Sequence, residues 1–154
     1  MKKIFIIMLC TMFFAVNISA QESFFDRVAD MPGVTSVSIS PKMFQMMKGS
    51  GGMEKGKVNI DNISEKLTKL QILSSEEEKA SEILRKETSF INKKNGYEEL
   101  LRVKDGEEKV FIYCRNIKDD NNEYVLLVDE GKEFTFIVLE GKLTMEEIQG
   151  MVDK

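Results

Sequence analysis

Four stretches in the last third of this 154-residue chain, residues 97–103, 109–116, 124–128 and 134–139, carry apolar and β-branched side chains in strand-like runs. Lys104-Asp105-Gly106-Glu107 separates the first two, and Glu130-Gly131-Lys132 falls between the last two. Asp-Gly suits the positive φ angles of a tight turn, so the first two runs close as an antiparallel hairpin and the last two repeat the pattern. Two successive hairpins predict an antiparallel meander. A sheet of that kind needs cover on at least one face, which the rest of the chain has to supply.

The residues upstream read as that cover, with one or two further strands. Residues 34–40 alternate, with Thr35, Val37 and Ile39 on one side and Ser36, Ser38 and Ser40 on the other, a half-buried strand. A second short strand is expected at 70–73. A helix over 23–29 carries Phe24, Phe25 and Val28 and is stopped by Pro32-Gly33. Ser40-Pro41, a hydroxyl N-cap with proline in the first helical turn, opens a helix bearing Met43, Phe44, Met46 and Met47. A helical turn is expected at 62–67. Ser75 with Glu78 reads as a capping box for the longest helix, running to about residue 93 with Ala80, Ile83, Leu84, Phe90 and Ile91 near one face. Thr144 with Glu147 reads as a second box, starting a closing helix. With 42% hydrophobic and 31% charged residues the chain can bury a core. The expectation is a single α+β domain over residues 21–154: a largely antiparallel sheet, helices packed on one face, and a flexible glycine-rich loop at 49–57.

Residues 1–20 read as a secretory signal peptide instead. Lys2 and Lys3 precede an apolar run from 4 to 16, and Ile18 and Ala20 stand at −3 and −1 of a cut before Gln21. The 13-residue run is shorter than the ~20 residues of a spanning helix. Cys10 follows Leu9 where lipid attachment wants a small residue. The expected destination is the periplasm or cell envelope of a Gram-negative bacterium. Of 22 basic residues Lys2 and Lys3 leave with the leader, and against 26 acidic ones the formal charge becomes −6. Such a balance speaks against nucleic acid and anionic lipid as partners. Cys114 is then the sole cysteine, so no internal disulfide is expected.

The chain has no histidine, which removes the commonest general base and metal ligand. The segment 51–58 imitates a phosphate-binding loop but ends in Val58 where magnesium needs Ser or Thr, and it reads as a linker. Asp119, Asn121, Glu123 and Glu130 imitate a calcium loop whose sixth position is Tyr124 rather than glycine; a polar hairpin turn explains them. Met43, Met46, Met47 and Met53 are soft sulfur donors, but three of them follow helical spacing, as in a core or a contact face. Cys114 shares a strand face with Val110 and Ile112 and reads as buried structure, with Arg115 pointing away. The adjacent acids Glu98-Glu99, Glu107-Glu108 and Glu146-Glu147 form no catalytic pair. No catalytic residue, cofactor or metal site is assigned.

The segment from Ala29 through Pro32-Gly33-Val34 and Ser36-Val37-Ser38-Ile39-Ser40-Pro41 to Met43-Phe44, a strand running into a Met-rich helix behind a signal peptide, resembles the domain of unknown function 4252 family. The strand-to-helix segment at 67–75 and the closing strands with an acidic helix are similar too. The resemblance implies a small exported protein of Bacteroidetes-type bacteria without an assigned activity. Some relatives lie near sigma-factor genes, which implies envelope regulation; no residue role is implied.

Two functions are open on these residues. The first is a non-enzymatic envelope protein that binds an unidentified envelope protein, with Met43, Phe44, Met46 and Met47 as its contacts. The second is a small-molecule carrier or enzyme with a pocket between sheet and helices around Tyr97, Tyr113 and Tyr124. Oligomeric state stays open.

Overall fold

The structure, a computed structural model, describes residues 20–47, 66–144 and 146–148. The expected signal-peptide segment before residue 20, the loop at 49–57 and the helical turn over 62–65 lie outside the described residues. Helix α1 (Ala20–Ala29) leads to strand β1 (Thr35–Ile39) and helix α2 (Pro41–Met47). Strand β2 (Leu67–Ser75) and helix α3 (Glu78–Glu87) follow, then two short 3₁₀ turns, Thr88–Phe90 and Lys93–Asn95. Four long strands complete the sheet: β3 (Glu98–Asp105), β4 (Glu108–Lys118), β5 (Asn121–Glu130) and β6 (Glu133–Gly141). The strand order is β1-β2-β6-β5-β4-β3 and every neighbouring pair is antiparallel. The protein is thus a single α+β domain built on one open antiparallel sheet.

The meander stands where the turn sequences put it. Gly106 and Gly131 take φ of 59° and 78° at the two expected hairpin turns. Asp119 and Asp120 take φ of 51° and 62° between β4 and β5, the conformation of a tight two-residue turn. The calcium-like run is therefore a turn and the strand after it, and its oxygens are strung along β5 rather than gathered around a point.

Helices cover both faces of the sheet, where one face was expected. On the first face, Phe24, Phe25 and Val28 of α1 and Leu84 of α3 bury Leu73, Val125, Phe134, Phe136 and Val138. Phe24 meets Phe90 and Phe136 edge-on, each with ring centroids 5.3 Å apart. On the second face Phe44 of α2 packs with Leu67, Leu70, Tyr124, Leu139, Leu143 and Ile148. The physical reason is that β2, β5 and β6 are apolar at both parities: Leu70 and Leu73, Tyr124 and Val125, Leu139 and Val138 point to opposite sides. Strands of that kind have to be buried twice. Only Ser40 separates β1 from α2, so α2 folds directly back on the second face.

Local details depart from the pattern reading for identifiable reasons. Ser75 ends β2 and does not cap α3; its hydroxyl accepts from the Glu77 amide at 3.1 Å and donates to the Glu77 carbonyl at 3.2 Å. Helix α3 stops at Glu87 because the Thr88 hydroxyl bonds back to the Leu84 carbonyl at 2.9 Å and the chain tightens into 3₁₀ turns. Leu67 lies in β2 rather than in a helical turn. The Thr144/Glu147 box does form, with the Thr144 amide donating to Glu147 Oε2 at 2.9 Å and the Glu147 amide to Thr144 Oγ1 at 3.4 Å. Strand β1, expected half-buried, is an exposed edge.

Two substitutions test this packing. Phe136→Ala empties the centre of the first face and should cost about 3–5 kcal/mol in denaturant unfolding. Gly141→Ala drives a methyl into the Lys66 backbone carbonyl, which also accepts from the Lys142 amide, so the β2–β6 junction has to shift. It should lower the unfolding midpoint although the site is at the end of a strand.

Candidate functional site

Register turns separate stretches of sequence into one surface on the second face. Val37 pairs with Ile72, Ile72 with Ile137, Ile137 with Leu126, Leu126 with Ile112, and Ile112 with Leu101. This is one unbroken aliphatic row across all six strands, roughly 24 Å long at ~4.8 Å between strands. A parallel row beside it runs Thr35, Ser74, Thr135, Val128, Val110 and Val103. Both ends of the surface are open: Val37 is 41%, Leu101 41% and Val103 47% exposed. Ile72, Ile137, Leu126, Val110 and Val128 are half-buried, and Ile112 is buried. The exposed aliphatics are thus the two ends of one row whose middle is half-buried or buried.

Helix α2 sits beyond the row, over Leu70 and Leu139. Of the proposed contact residues, Met43 (43% exposed) and Met46 (67%) stand in solvent. Phe44 does not: at 1% exposed it is the anchor that fixes α2 to the sheet. Met47 ends α2, and its side chain lies outside the described residues. Ala20 and Gln21, the residues flanking the expected cleavage point, open α1.

The three tyrosines do not converge. Tyr124 faces the second side and donates to the Leu143 carbonyl at 2.9 Å, while Tyr97 and Tyr113 line a recess of about 470 Å³ near the β3–β4 ladder. A second recess of about 480 Å³ is lined by Ser38, Lys69, Gln71, Arg115, Ile117 and Glu140 among others. Its charges are paired within the protein: Lys69 with Glu140 at 3.1 Å and Arg115 with Glu123 at 3.2 Å. Glu123 is fully buried, and the Arg115 guanidinium also lies over the Tyr97 ring, 4.6 Å from its centroid. Burial, and next the Glu123 carboxylate, push the Tyr97 hydroxyl well above the usual tyrosine range. No rule of spacing singles out Glu123; only the β4–β5 register, which places Arg115 opposite it, shows the pair.

Cys114 lies on the second face opposite Tyr124 and is half-buried. Burial raises its thiol pKa above the ordinary cysteine value, which suits structure rather than nucleophilic chemistry. Among the described residues no three Asp, Glu or Cys side chains are grouped to hold a metal ion. No helix among them is long and apolar enough to cross a membrane.

The fold defines a small α+β domain with one open antiparallel sheet and an aliphatic row across its second face. The chain belongs to the family described as Domain of unknown function (DUF4252), which it matches over residues 25–151. No curated protein and no solved structure matches it.

Two measurements follow from the buried groups. Arg115→Ala leaves the Glu123 carboxylate buried without its cation and should cost about 3–5 kcal/mol, whereas the double variant R115M/E123L should recover most of that loss. Because a raised pKa leaves less thiolate at pH 8, Cys114 should react with iodoacetamide more slowly than a free thiol, and unfolding in urea should restore the ordinary rate.

Proposed function

We propose that this is a non-enzymatic protein, exported to the cell envelope, that acts by binding another protein through the second face of its sheet. The observation that carries this reading is the aliphatic row Val37–Ile72–Ile137–Leu126–Ile112–Leu101, continuous across six strands and open at both ends. Met43 and Met46 extend the same side with flexible, polarisable contacts that repack against a partner. Export rests on residues 1–20, whose basic start, apolar run and small residue at −1 have the form of a cleaved leader. A role in envelope regulation rests on the family resemblance alone. The small-molecule reading has the two recesses in its favour, but the charged groups of the larger one are already engaged with each other.

The test is cross-linking of the tagged protein in its host, followed by mass spectrometry. Wild type should yield a reproducible envelope partner, and the triple variant V37S/L101S/V103S should lose it while keeping the wild-type circular dichroism spectrum. Retention of the partner by a folded triple variant would contradict the reading.

A further inference from the structure

The same face carries an acidic rim. Two residues beyond Val103, Val110, Val128 and Thr135 on their strands stand Asp105, Glu108, Glu130 and Glu133. They are cross-strand neighbours in one row: Asp105 opposite Glu108, Glu108 opposite Glu130, and Glu130 opposite Glu133. All four are exposed, and alternation puts them on the side of the aliphatic row. Like charges directly opposite one another destabilise a sheet. Three acids elsewhere on the sheet are paired across strands or to a helix, Glu140 with Lys69, Asp129 with Arg85 and Glu123 with Arg115. Among the described residues no ion pair reaches any of the four rim carboxylates. The remaining cross-strand row on that side of the aliphatic row is uncharged: Thr35, Ser74, Thr135, Val128, Val110 and Val103.

Resting on the protein-binding reading, we propose that the second face docks a basic amphipathic helix of another protein, its apolar stripe along the Val37–Leu101 row and its Lys or Arg side chains against Asp105, Glu108, Glu130 and Glu133. The dimensions fit. About 16 residues of helix at ~1.5 Å each span the row. The rim lies four residues further along the strands, roughly 13 Å away at ~3.3 Å per residue. A helix about 10–12 Å across, lying on the row, brings the flank of its polar side within reach of the rim by long cationic side chains. Binding then relieves the repulsion that the free protein carries, and both halves of the recognition come from one surface.

The test uses two fluorescein-labelled synthetic amphipathic peptides, one with leucine and lysine and one with leucine and glutamate in place of lysine, titrated into the purified protein and read by anisotropy. The lysine peptide should bind about tenfold or more tighter at low salt, and the preference should shrink as salt is raised. In the rim variant D105N/E108Q/E130Q/E133Q the preference should fall toward parity. Neutralising exposed acids on and before α3 instead, in E76Q/E78Q/E82Q, should leave it unchanged. Equal binding of the two peptides to the wild-type protein, or equal losses in both charge variants, would overturn the basic-partner inference. Neither outcome touches the protein-binding reading, which falls only if the folded triple variant V37S/L101S/V103S keeps its cross-linked envelope partner. The peptide comparison needs no variant, so equal binding overturns the inference even where a substitution perturbs folding.

Discussion

The pairing of β2 with β6 is the interaction on which the rest of the structure depends. It joins an amino-terminal strand pair to a carboxy-terminal meander, Leu70 opposite Leu139 and Leu73 opposite Phe136, across more than sixty residues of intervening chain. A slip of one residue would turn every side chain of β2 to the wrong face. With the observed register, Leu73 completes the core under α1 and α3, Leu70 completes the smaller core under α2, and Ile72 links Val37 to Ile137. The two cores and the aliphatic row are therefore set by one ladder.

Coverage of the two faces is unequal. On the first face aromatic side chains fill the space below α1 and α3, so nothing apolar of consequence is left over at its centre. On the second face α2 is a seven-residue helix whose buried residue is Phe44, packed in the cluster of Leu70 and Leu139, with Ile72, Leu126 and Ile137 of the next row half-buried against it. Its exposed methionines and the open ends of the neighbouring aliphatic row form one side of the molecule.

Much of the fold could be read before the structure, because it rests on local rules. The hairpins at Asp105-Gly106 and Gly131 follow from backbone freedom at the turn, and β1 and α2 from alternation and an N-cap. The capping box at Ser75 misled because a serine at a strand end has its own turn to make, and β1 looked half-buried because alternation does not tell an edge from a centre. The candidate site was legible only as fragments. Met43 and Met46 could be named from the α2 spacing, and Phe44 carries the same pattern yet points inward. The aliphatic row draws one residue from each of six strands, and the acidic rim sits at both sides of two turns. Neither exists along the chain; both are products of register.

The core beneath α1 and α3 on the first face is filled, whereas the aliphatic row on the second face is exposed at both ends. Methyl NMR of the isolated protein with a soluble paramagnetic probe tests this contrast most directly. Strong broadening is expected for the Val37, Leu101 and Val103 methyls and little for Leu73, Val125 and Val138, which are fully buried. Equal protection of both sets would mean that the second face is closed in solution and would contradict the proposed contact surface.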